Sequence, residues 1–384
     1  MIIEIAVHEA ELAKIFNRHF GTDPDEIRMI PPSGSERIYF ILRNGQYRAV
    51  GAYNPDLKEN RTYFYFTELF LKYKLPVPEL YFKDNHKGYY LLEYKEGPSL
   101  LDMLKQDGYT EEVKDIYKHV LEYLVRFQLD ILEEVDFSMC HSAQEFDQNQ
   151  ILSDLLYFKY YFLDMQRISY DKTALLKELQ EMAGNMAAVQ PKTFMYRDFQ
   201  SRNILVDDHN QPAFIDYQGG MKGLPQYDVV SLLWQARAEL PEDWKRELFN
   251  HYYKTLTSSK KWVHINEIEF RKTYLDCVLL RMIQTLGAYG FRGLIEGKDH
   301  FLQSIYPALK QLRGFIDEHP RHPSFQELRT VLEQITSDRI IEKYNTSGRP
   351  AYPNTGKLKV KIYSFSFKKG TAADISGNGG GFCI

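Results

Sequence analysis

The sequence changes character at residues 96–98, where a glutamate, a glycine and a proline break the chain. Before this break, apolar runs at 38–42 and 47–53 predict two strands, and the Asn-Gly pair at 44–45 favours a tight hairpin turn between them. After the break, apolar residues recur with the spacing of amphipathic helices. A strand-rich first lobe followed by a helical second lobe is an α+β arrangement, and a cleft between lobes is a preferred ligand site.

The helical part of the sequence contains one interruption. Residues 204–206 and 213–215 are short apolar runs joined by a turn rich in Asp and Asn, which predicts a hairpin embedded among helices. We predict helices at about 5–20, 56–73, 111–134, 150–165, 172–189, 225–256, 262–289 and 299–344, and further strands at 80–83 and 88–94. We expect three parts: a first lobe at 1–95, a helical lobe at 96–343 and a remainder at 344–384.

Length, charge and cysteine content narrow the class of protein. The 384 residues suit two lobes, because a single hydrophobic core stops growing near about 250 to 300 residues. The net charge of -4 provides no overall field that attracts nucleic acid or an anionic membrane. Cys140, Cys277 and Cys383 lie far apart, which argues against a disulfide framework or a zinc site and favours the cytoplasm. No secretory signal pattern and no apolar window of about 18 residues occur, so we expect neither export nor a membrane span.

Three polar residues in the interrupted region carry the strongest chemical signal. Asp198 and Asn203 lie five residues apart across a tight loop before the first hairpin strand, and Asp216 ends the second strand. Hairpin geometry therefore brings the three side chains together. Phosphoryl transfer needs a carboxylate beside the attacking hydroxyl and oxygen ligands that hold Mg²⁺ against nucleotide phosphates. The pattern favours a phosphotransferase, and the alternative is a surface hairpin with solvated acids at its turns.

In these residues the sequence resembles the kinase-like phosphotransferases typified by aminoglycoside phosphotransferases and choline kinases. The resemblance extends over residues 25–320. It implies a protein-kinase-like bilobal fold whose first lobe binds nucleotide, with ATP and Mg²⁺ as cofactors. It also implies that Asp198 is the catalytic aspartate and that Asn203 and Asp216 bind the metal. Asp228 matches a later aspartate that braces the catalytic loop in the family, a structural role.

Two segments match the nucleotide-binding parts of the family. Ser33, Gly34 and Ser35 lie where the family has its phosphate-covering loop, although the same residues also suit an ordinary turn. Glu93 and Lys95 fall at the junction of the lobes, where the family binds adenine through main-chain groups. The resemblance therefore implies that both segments contact ATP.

The sequence departs from the family at a paired strand lysine and helix glutamate. The lysine would stand near Gly51 or Ala52, where the sequence has none. Its partner would fall near Phe64, with Glu59 and Glu68 as displaced candidates. Both members of the pair are missing together, which spares the fold an unpaired buried charge.

The missing lysine leaves two interpretations. Either another cation, Arg37 or Lys58, holds the phosphates, or the protein is a pseudokinase that works as a nucleotide-binding regulatory module. A protein kinase fits poorly, because no Ala-Pro-Glu-type segment follows Asp216 and the stretch before Tyr227 is too short for an activation loop. Tyr196 replaces the usual catalytic-loop histidine, which supports the backbone in the family.

One branch of the family is the most similar: the anomeric kinases of amino sugars such as N-acetylmuramate and N-acetylglucosamine. The similarity lies in the loop at 198–203 and in a helix at 280–289, which also suits plain core packing. We expect Arg202, Arg281 and Arg292 near the loop, where no acid-rich run occurs. This favours a neutral or anionic sugar as substrate over choline or a polycationic aminoglycoside, which remain the alternatives.

The last part of the sequence carries a second resemblance. Residues 361–370 and 377–382 look like the opening of the C-terminal domain of RapZ-type proteins, which sense an amino-sugar phosphate and bind RNA. Residues 344–384 are therefore expected to be a linker and a truncated fragment of such a domain. A small-molecule sugar is the expected partner of the two lobes, and nucleic acid is an expected partner only of a full-length tail domain.

Overall fold

A five-stranded antiparallel sheet forms the first lobe. The computed structural model describes residues 2–31 and 37–345. The strands are β1 (Glu26–Met29), β2 (Ile38–Asn44), β3 (Tyr47–Tyr53), β4 (Leu80–Lys83) and β5 (Tyr89–Glu93), in the spatial order β1-β2-β3-β5-β4. Asn44 pairs with Tyr47, so the predicted tight hairpin between β2 and β3 is confirmed. The sequence pattern does not reveal β1, a four-residue strand at the edge of the sheet.

Helices make up most of the remaining described residues. They are α1 (Ile2–Phe20), α2 (Leu57–Lys72), α3 (Leu100–Asp107), α4 (Glu111–Leu129), α5 (Gln148–Phe158), α6 (Lys172–Ala188), α7 (Pro225–Leu233), α8 (Glu242–Ser258), α9 (Glu267–Tyr289), α10 (Asp299–Glu318), α11 (Gln326–Ile335) and α12 (Asp338–Lys343). The prediction of one helix at 225–256 is wrong, because the chain turns before Pro241, which lacks an amide donor. The single helix predicted at 299–344 is also wrong: the segment forms three helices, with Pro320 and Pro323 in the first gap.

Helices cover both faces of the sheet in the first lobe. α1 packs Leu12 against Phe40 and Leu42 of β2, and all three side chains are fully buried. Tyr39 and Ala52 belong to the opposite face, where they join the core that contains α2. This division follows from the strand geometry, since successive residues of a strand point to opposite faces.

Four short strands hold the predicted catalytic segment within the helical lobe. They are β6 (Thr193–Met195), β7 (Ile204–Val206), β8 (Pro212–Phe214) and β9 (Met221–Gly223). β7 pairs with β8, which confirms the predicted hairpin, and β6 pairs with β9. The loop that carries Asp198 therefore connects β6 to β7, and Asp216 lies just after β8.

The junction of the lobes is fastened to this hairpin. Gly97 has a φ of 106°, and a Cβ atom there would lie 1.9 Å from the main-chain oxygen of Val206. The amide of Val206 donates a hydrogen bond to the carbonyl oxygen of Pro98 at 3.0 Å. Only glycine fits this backbone angle and this close approach. The break that the sequence predicts at 96–98 thus also sets where the catalytic segment lies.

The two described lobes share one hydrophobic core. Met1–Asn345 forms one compact unit, and a continuous core runs from α2 through the inner sheet face into the helical lobe. The α+β class is confirmed, whereas the boundary at 95–96 stays a prediction. The predicted fragment at 344–384 lies outside the described residues from position 346 onward. Within the described part, no helix has the length and apolar character needed to cross a membrane.

Candidate active site

The structure brings Asp198, Asn203 and Asp216 together. The side-chain amide of Asn203 donates to the main-chain oxygen of Asp198 at 2.9 Å and to Oδ2 of Asp216 at 3.3 Å. The main-chain oxygen of Asn203 accepts a hydrogen bond from the main-chain amide of Ile215 at 3.0 Å. Because the NH₂ group of Asn203 is engaged in these bonds, its side-chain oxygen is the atom that can serve a cation.

Asp228 holds the backbone of the catalytic loop from beneath. Its two carboxylate oxygens accept the amides of Tyr196 and Arg197 at 2.7 and 2.9 Å. Arg197 has a φ of 79° and Asp216 a φ of 69°, a left-handed conformation that is uncommon outside glycine and recurs at functional sites. Burial raises the pKa of Asp228 to about 7, although the two amide bonds favour the charged form. The geometry matches the predicted bracing role.

Arg281 reaches the carboxylate of Asp198 from α9. Its Nη2 atom lies 3.2 Å from Oδ1 of Asp198, and its Nη1 atom donates to the hydroxyl of Tyr227 at 3.2 Å. Burial alone would raise the pKa of Asp198, but the positive charges of Arg281, Arg202 and Arg197 bring it below its ordinary value. Asp198 is therefore ionised at neutral pH, as an acceptor for a hydroxyl proton must be.

Two supporting contacts of the loop escape the sequence analysis. Arg197 forms a two-oxygen ion pair with Asp154 of α5, with distances of 2.8 and 2.9 Å. Gln235 accepts both the amide and the hydroxyl of Ser201 through Oε1, at 3.0 and 2.5 Å. An acidic residue within the apolar face of a predicted helix is the only sequence signal for Asp154, and Gln235 gives none.

Tyr196 and Tyr217 tie the site to its surroundings. The hydroxyl of Tyr196 donates to the carbonyl oxygen of Ile215 at 2.7 Å, which fits the predicted backbone support. Tyr217, directly after Asp216, stacks on Tyr63 of α2 with ring centroids 4.8 Å apart. Its hydroxyl also lies 2.6 Å from the hydroxyl of Thr67 in the same helix.

The structure agrees with the absence of the strand lysine. Both Gly51 and Ala52 are buried in β3, and a Cβ atom on Gly51 would lie 2.7 Å from a methyl group of Leu42. Phe64, at the expected glutamate position, belongs to the core. β3 therefore has no space for a long cationic side chain at position 51.

Arg37, rather than Lys58, reaches the site. Its Nη2 atom lies 3.3 Å from Oδ1 of Asp216 and 3.6 Å from Oε1 of Glu59. Lys58 is exposed, and Glu68 forms a surface ion pair with Lys83. Of the displaced candidates, Arg37 and Glu59 are thus the pair that the fold assembles.

The residues predicted to contact adenine are described in the structure, whereas those predicted to contact phosphate are not. Glu93 accepts the amide of Glu79 at 3.0 Å, and Lys95 donates to the other oxygen of Glu93 at 2.6 Å. These side chains are engaged with each other, so the adenine contact stays a prediction about main-chain groups. Ser33, Gly34 and Ser35 lie outside the described residues.

The helix at 280–289 combines two roles. A Cβ atom on Gly287 would lie 2.7 Å from the main-chain nitrogen of Phe158, so this glycine allows α9 and α5 to pack closely. The same helix carries Arg281 to the catalytic loop. Arg202 is exposed on the loop, whereas Arg292 binds both oxygens of Glu296 at 2.7 and 2.8 Å.

The donor set suits magnesium. Mg²⁺ prefers oxygen ligands and is usually held by one or two carboxylates together with substrate phosphates. Asp216 supplies a carboxylate and Asn203 an amide oxygen. Across residues 2–31 and 37–345 no cluster of three or more His, Cys, Asp or Glu residues could hold a metal.

Comparisons with known proteins identify the family. The family model of the Phosphotransferase enzyme family, APH, matches residues 53–262, more than half of the chain. This chain belongs to that family. It is a small-molecule kinase that acts on a hydroxyl acceptor, and the family implies the use of ATP.

A curated relative and two solved structures are consistent with this assignment. An N-acetylmuramate/N-acetylglucosamine kinase of Pseudomonas aeruginosa is 23% identical over 315 residues, which are 81% of this chain and 90% of the relative. A ternary complex of streptomycin, ATP and APH(2")-IIa has a TM-score of 0.51 at 16% identity, covering 77% of this chain and 96% of the other. The choline kinase LicA of Streptococcus pneumoniae has a TM-score of 0.52 at 12% identity, with coverage of 79% and 99%. The protein-kinase-like bilobal fold is therefore confirmed.

Proposed function

We propose that this kinase transfers the γ-phosphoryl group of ATP to the anomeric hydroxyl of an amino sugar, N-acetylmuramate or N-acetylglucosamine. The observation that carries the proposal is the side chain of Asn203, which binds both the main-chain oxygen of Asp198 and the carboxylate of Asp216. The name of the relative in Pseudomonas aeruginosa supports the choice of sugar.

Each residue of the site has a distinct task in this mechanism. Asp198 orients the sugar hydroxyl and accepts its proton as the oxygen attacks phosphorus. Asn203 and Asp216 would hold Mg²⁺, which neutralises the charge of the phosphate oxygens when it is bound. Arg281 fixes the orientation of Asp198 and keeps its carboxylate charged. Asp228 holds the loop that carries this arrangement.

The charge around the loop supports a neutral or anionic substrate. Arg202 is exposed next to the catalytic segment. Burial lowers the pKa of His300, and the positive charges of Arg237, Lys298 and Arg202 lower it further, which places several cations in one region. Repulsion from these cations would disfavour choline and polycationic aminoglycosides.

The test is a substrate panel with purified full-length protein and Mg-ATP. With N-acetylmuramate or N-acetylglucosamine, the reaction should yield ADP and a sugar 1-phosphate. Phosphorus NMR detects both products. Asp198→Asn should lower kcat by about a hundredfold or more, because the proton acceptor is lost. The control is Asp208→Asn, an exposed acid in the turn of the same hairpin, which should leave kcat unchanged. Turnover of choline or an aminoglycoside alone, or full activity in Asp198→Asn, would contradict the proposal.

The absent strand lysine also leaves open a non-catalytic nucleotide-binding regulatory module, which does not agree with membership of a family of small-molecule kinases. Stabilisation by Mg-ATP in thermal unfolding, without phosphorylation of any acceptor, would contradict the enzymatic assignment. Cytoplasmic location remains an expectation from the cysteine content, and Cys140 and Cys277 are buried free thiols. Binding of nucleic acid by a full-length RapZ-type tail domain also remains an expectation.

A further inference from the structure

The guanidinium of Arg37 contacts two acidic side chains from different parts of the chain. Arg37 precedes β2, and its guanidinium lies between Glu59 of α2 in the first lobe and Asp216 in the helical lobe. Nη1 of Arg37 also donates to the hydroxyl of Tyr39 at 3.2 Å. A single side chain of the first lobe thus touches the helix and the candidate metal ligand at once.

Burial makes this contact costly. The side chain of Arg37 is only 12% exposed, and its Nε atom has no hydrogen-bond partner within the part of the chain that the structure describes. A buried donor without a partner costs free energy, so such groups call for a functional explanation. The guanidinium stays charged at every accessible pH, and its donors match the geometry of phosphate oxygens.

The first lobe holds the carboxylate of Glu59 in place for Arg37. Oε2 of Glu59 accepts a hydrogen bond from the side-chain amide of Asn54 at 2.7 Å, and Asn54 is buried. The carboxylate is therefore oriented before any ligand binds. On the same face of the sheet, β3 carries Ala52, which is paired with Tyr39 of β2 on one side and with Tyr90 of β5 on the other. No cationic side chain comes from β3 at this position.

We propose that Arg37 binds the phosphate groups of the nucleotide beside Asp216, with Glu59 as the carboxylate that positions it. The cation is supplied from the start of β2 instead of from β3. This inference rests on the proposed use of ATP but not on the identity of the sugar.

The experiment measures nucleotide binding directly in the full-length chain. Titration calorimetry with Mg²⁺ and the non-hydrolysable analogue β,γ-imido-ATP reports contacts to adenosine and phosphates together, whereas adenosine alone reports only the former. The variants are Arg37→Gln, Arg37→Lys and Glu59→Gln. The matched control is Arg43→Gln, on the strand β2 that Arg37 precedes, because the ion pair of Arg43 with Glu26 is exposed. Thermal unfolding of each variant checks that it is folded.

We expect Arg37→Gln to lower the affinity for the analogue by at least about tenfold and to leave the affinity for adenosine unchanged. Arg37→Lys should restore part of the loss, because it keeps the charge but not the planar fork of donors. Glu59→Gln should give a smaller loss, and Arg43→Gln none. Equal losses for analogue and adenosine, or no loss in Arg37→Gln, would overturn the proposal.

The outcome is separable from that of the proposed function. If the wild type phosphorylates no amino sugar but Arg37→Gln selectively loses the analogue, the sugar assignment fails and the role of Arg37 stands. If the wild type phosphorylates the sugar and Arg37→Gln binds the analogue normally, the reverse holds. A wild type that binds neither β,γ-imido-ATP nor adenosine overturns both the proposed function and the role of Arg37.

Discussion

Asp228 makes the stability of this kinase depend on pH in a direction that can be worked out. Its carboxyl group is fully buried and accepts two backbone amides, from Tyr196 and Arg197. Burial raises its pKa from 3.8 to about 7 in the folded protein. The perturbation that isolates this group is Asp228→Asn, which removes the charge and nearly keeps the shape.

The sign follows from linkage. A carboxyl whose pKa is raised on folding binds its proton more tightly in the folded state, so its contribution to stability is complete below about pH 4 and is lost as the pH rises to about 7. Each pH unit in this window is worth about 1.4 kcal/mol. Between about pH 5 and pH 8, the free energy of unfolding of the wild type should therefore fall by about 3 kcal/mol relative to Asp228→Asn.

Urea unfolding of both proteins at several pH values between about 5 and 8 measures this difference. All other titratable groups are shared, so they cancel when the two free energies are subtracted. The control is Asp115→Asn on α4, whose side chain is 69% exposed and whose effect should stay within about 0.5 kcal/mol throughout. The reasoning is refuted if the free energy of unfolding of the wild type, relative to that of Asp228→Asn, stays constant or rises as the pH increases. Either result would mean that the amide bonds offset or outweigh burial.

Three further predictions follow from the site and the lobe junction. Asp216→Asn should raise the Mg²⁺ concentration needed for half-maximal activity by about tenfold or more, as measured by ADP release against metal concentration. Asp154→Asn should lower the free energy of unfolding in urea by about 3 kcal/mol, because Arg197 then loses its buried partner. Gly97→Ala should lower the melting temperature more than Gly108→Ala does in thermal unfolding. Both glycines have positive φ, but only at Gly97 would the new methyl group meet main-chain atoms.

The features that the sequence predicts best are local ones. The hairpin of β7 and β8 and the meeting of Asn203 with Asp216 involve residues 13 positions apart, which a short turn necessarily brings together. The strands at 38–42 and 47–53 can be predicted equally well, because the Asn-Gly turn and the apolar runs on either side of it both indicate a hairpin. The long helices of the second lobe exist as expected, apart from the merging of segments across Pro241 and Pro320.

Contacts between distant elements could not be predicted, because chain spacing does not reveal which helix faces which loop. Arg281 meets Asp198 across 83 positions, and only the packing of α9 fixes that encounter. The choice between Arg37 and Lys58 also required the structure. Neighbouring residues on α2 differ by about 100° in direction, so Glu59 faces inward while Lys58 is exposed.

The stacking of Tyr217 on Tyr63, together with its hydroxyl contact to Thr67, has a consequence for control of the enzyme. Protein kinases are switched by swinging the corresponding helix in and out. Here an outward swing of α2 would have to unstack two buried rings and separate Arg37 from Glu59 in the same motion. Movement of α2 is therefore costly in this molecule, because it would break an aromatic stack and an ion pair together.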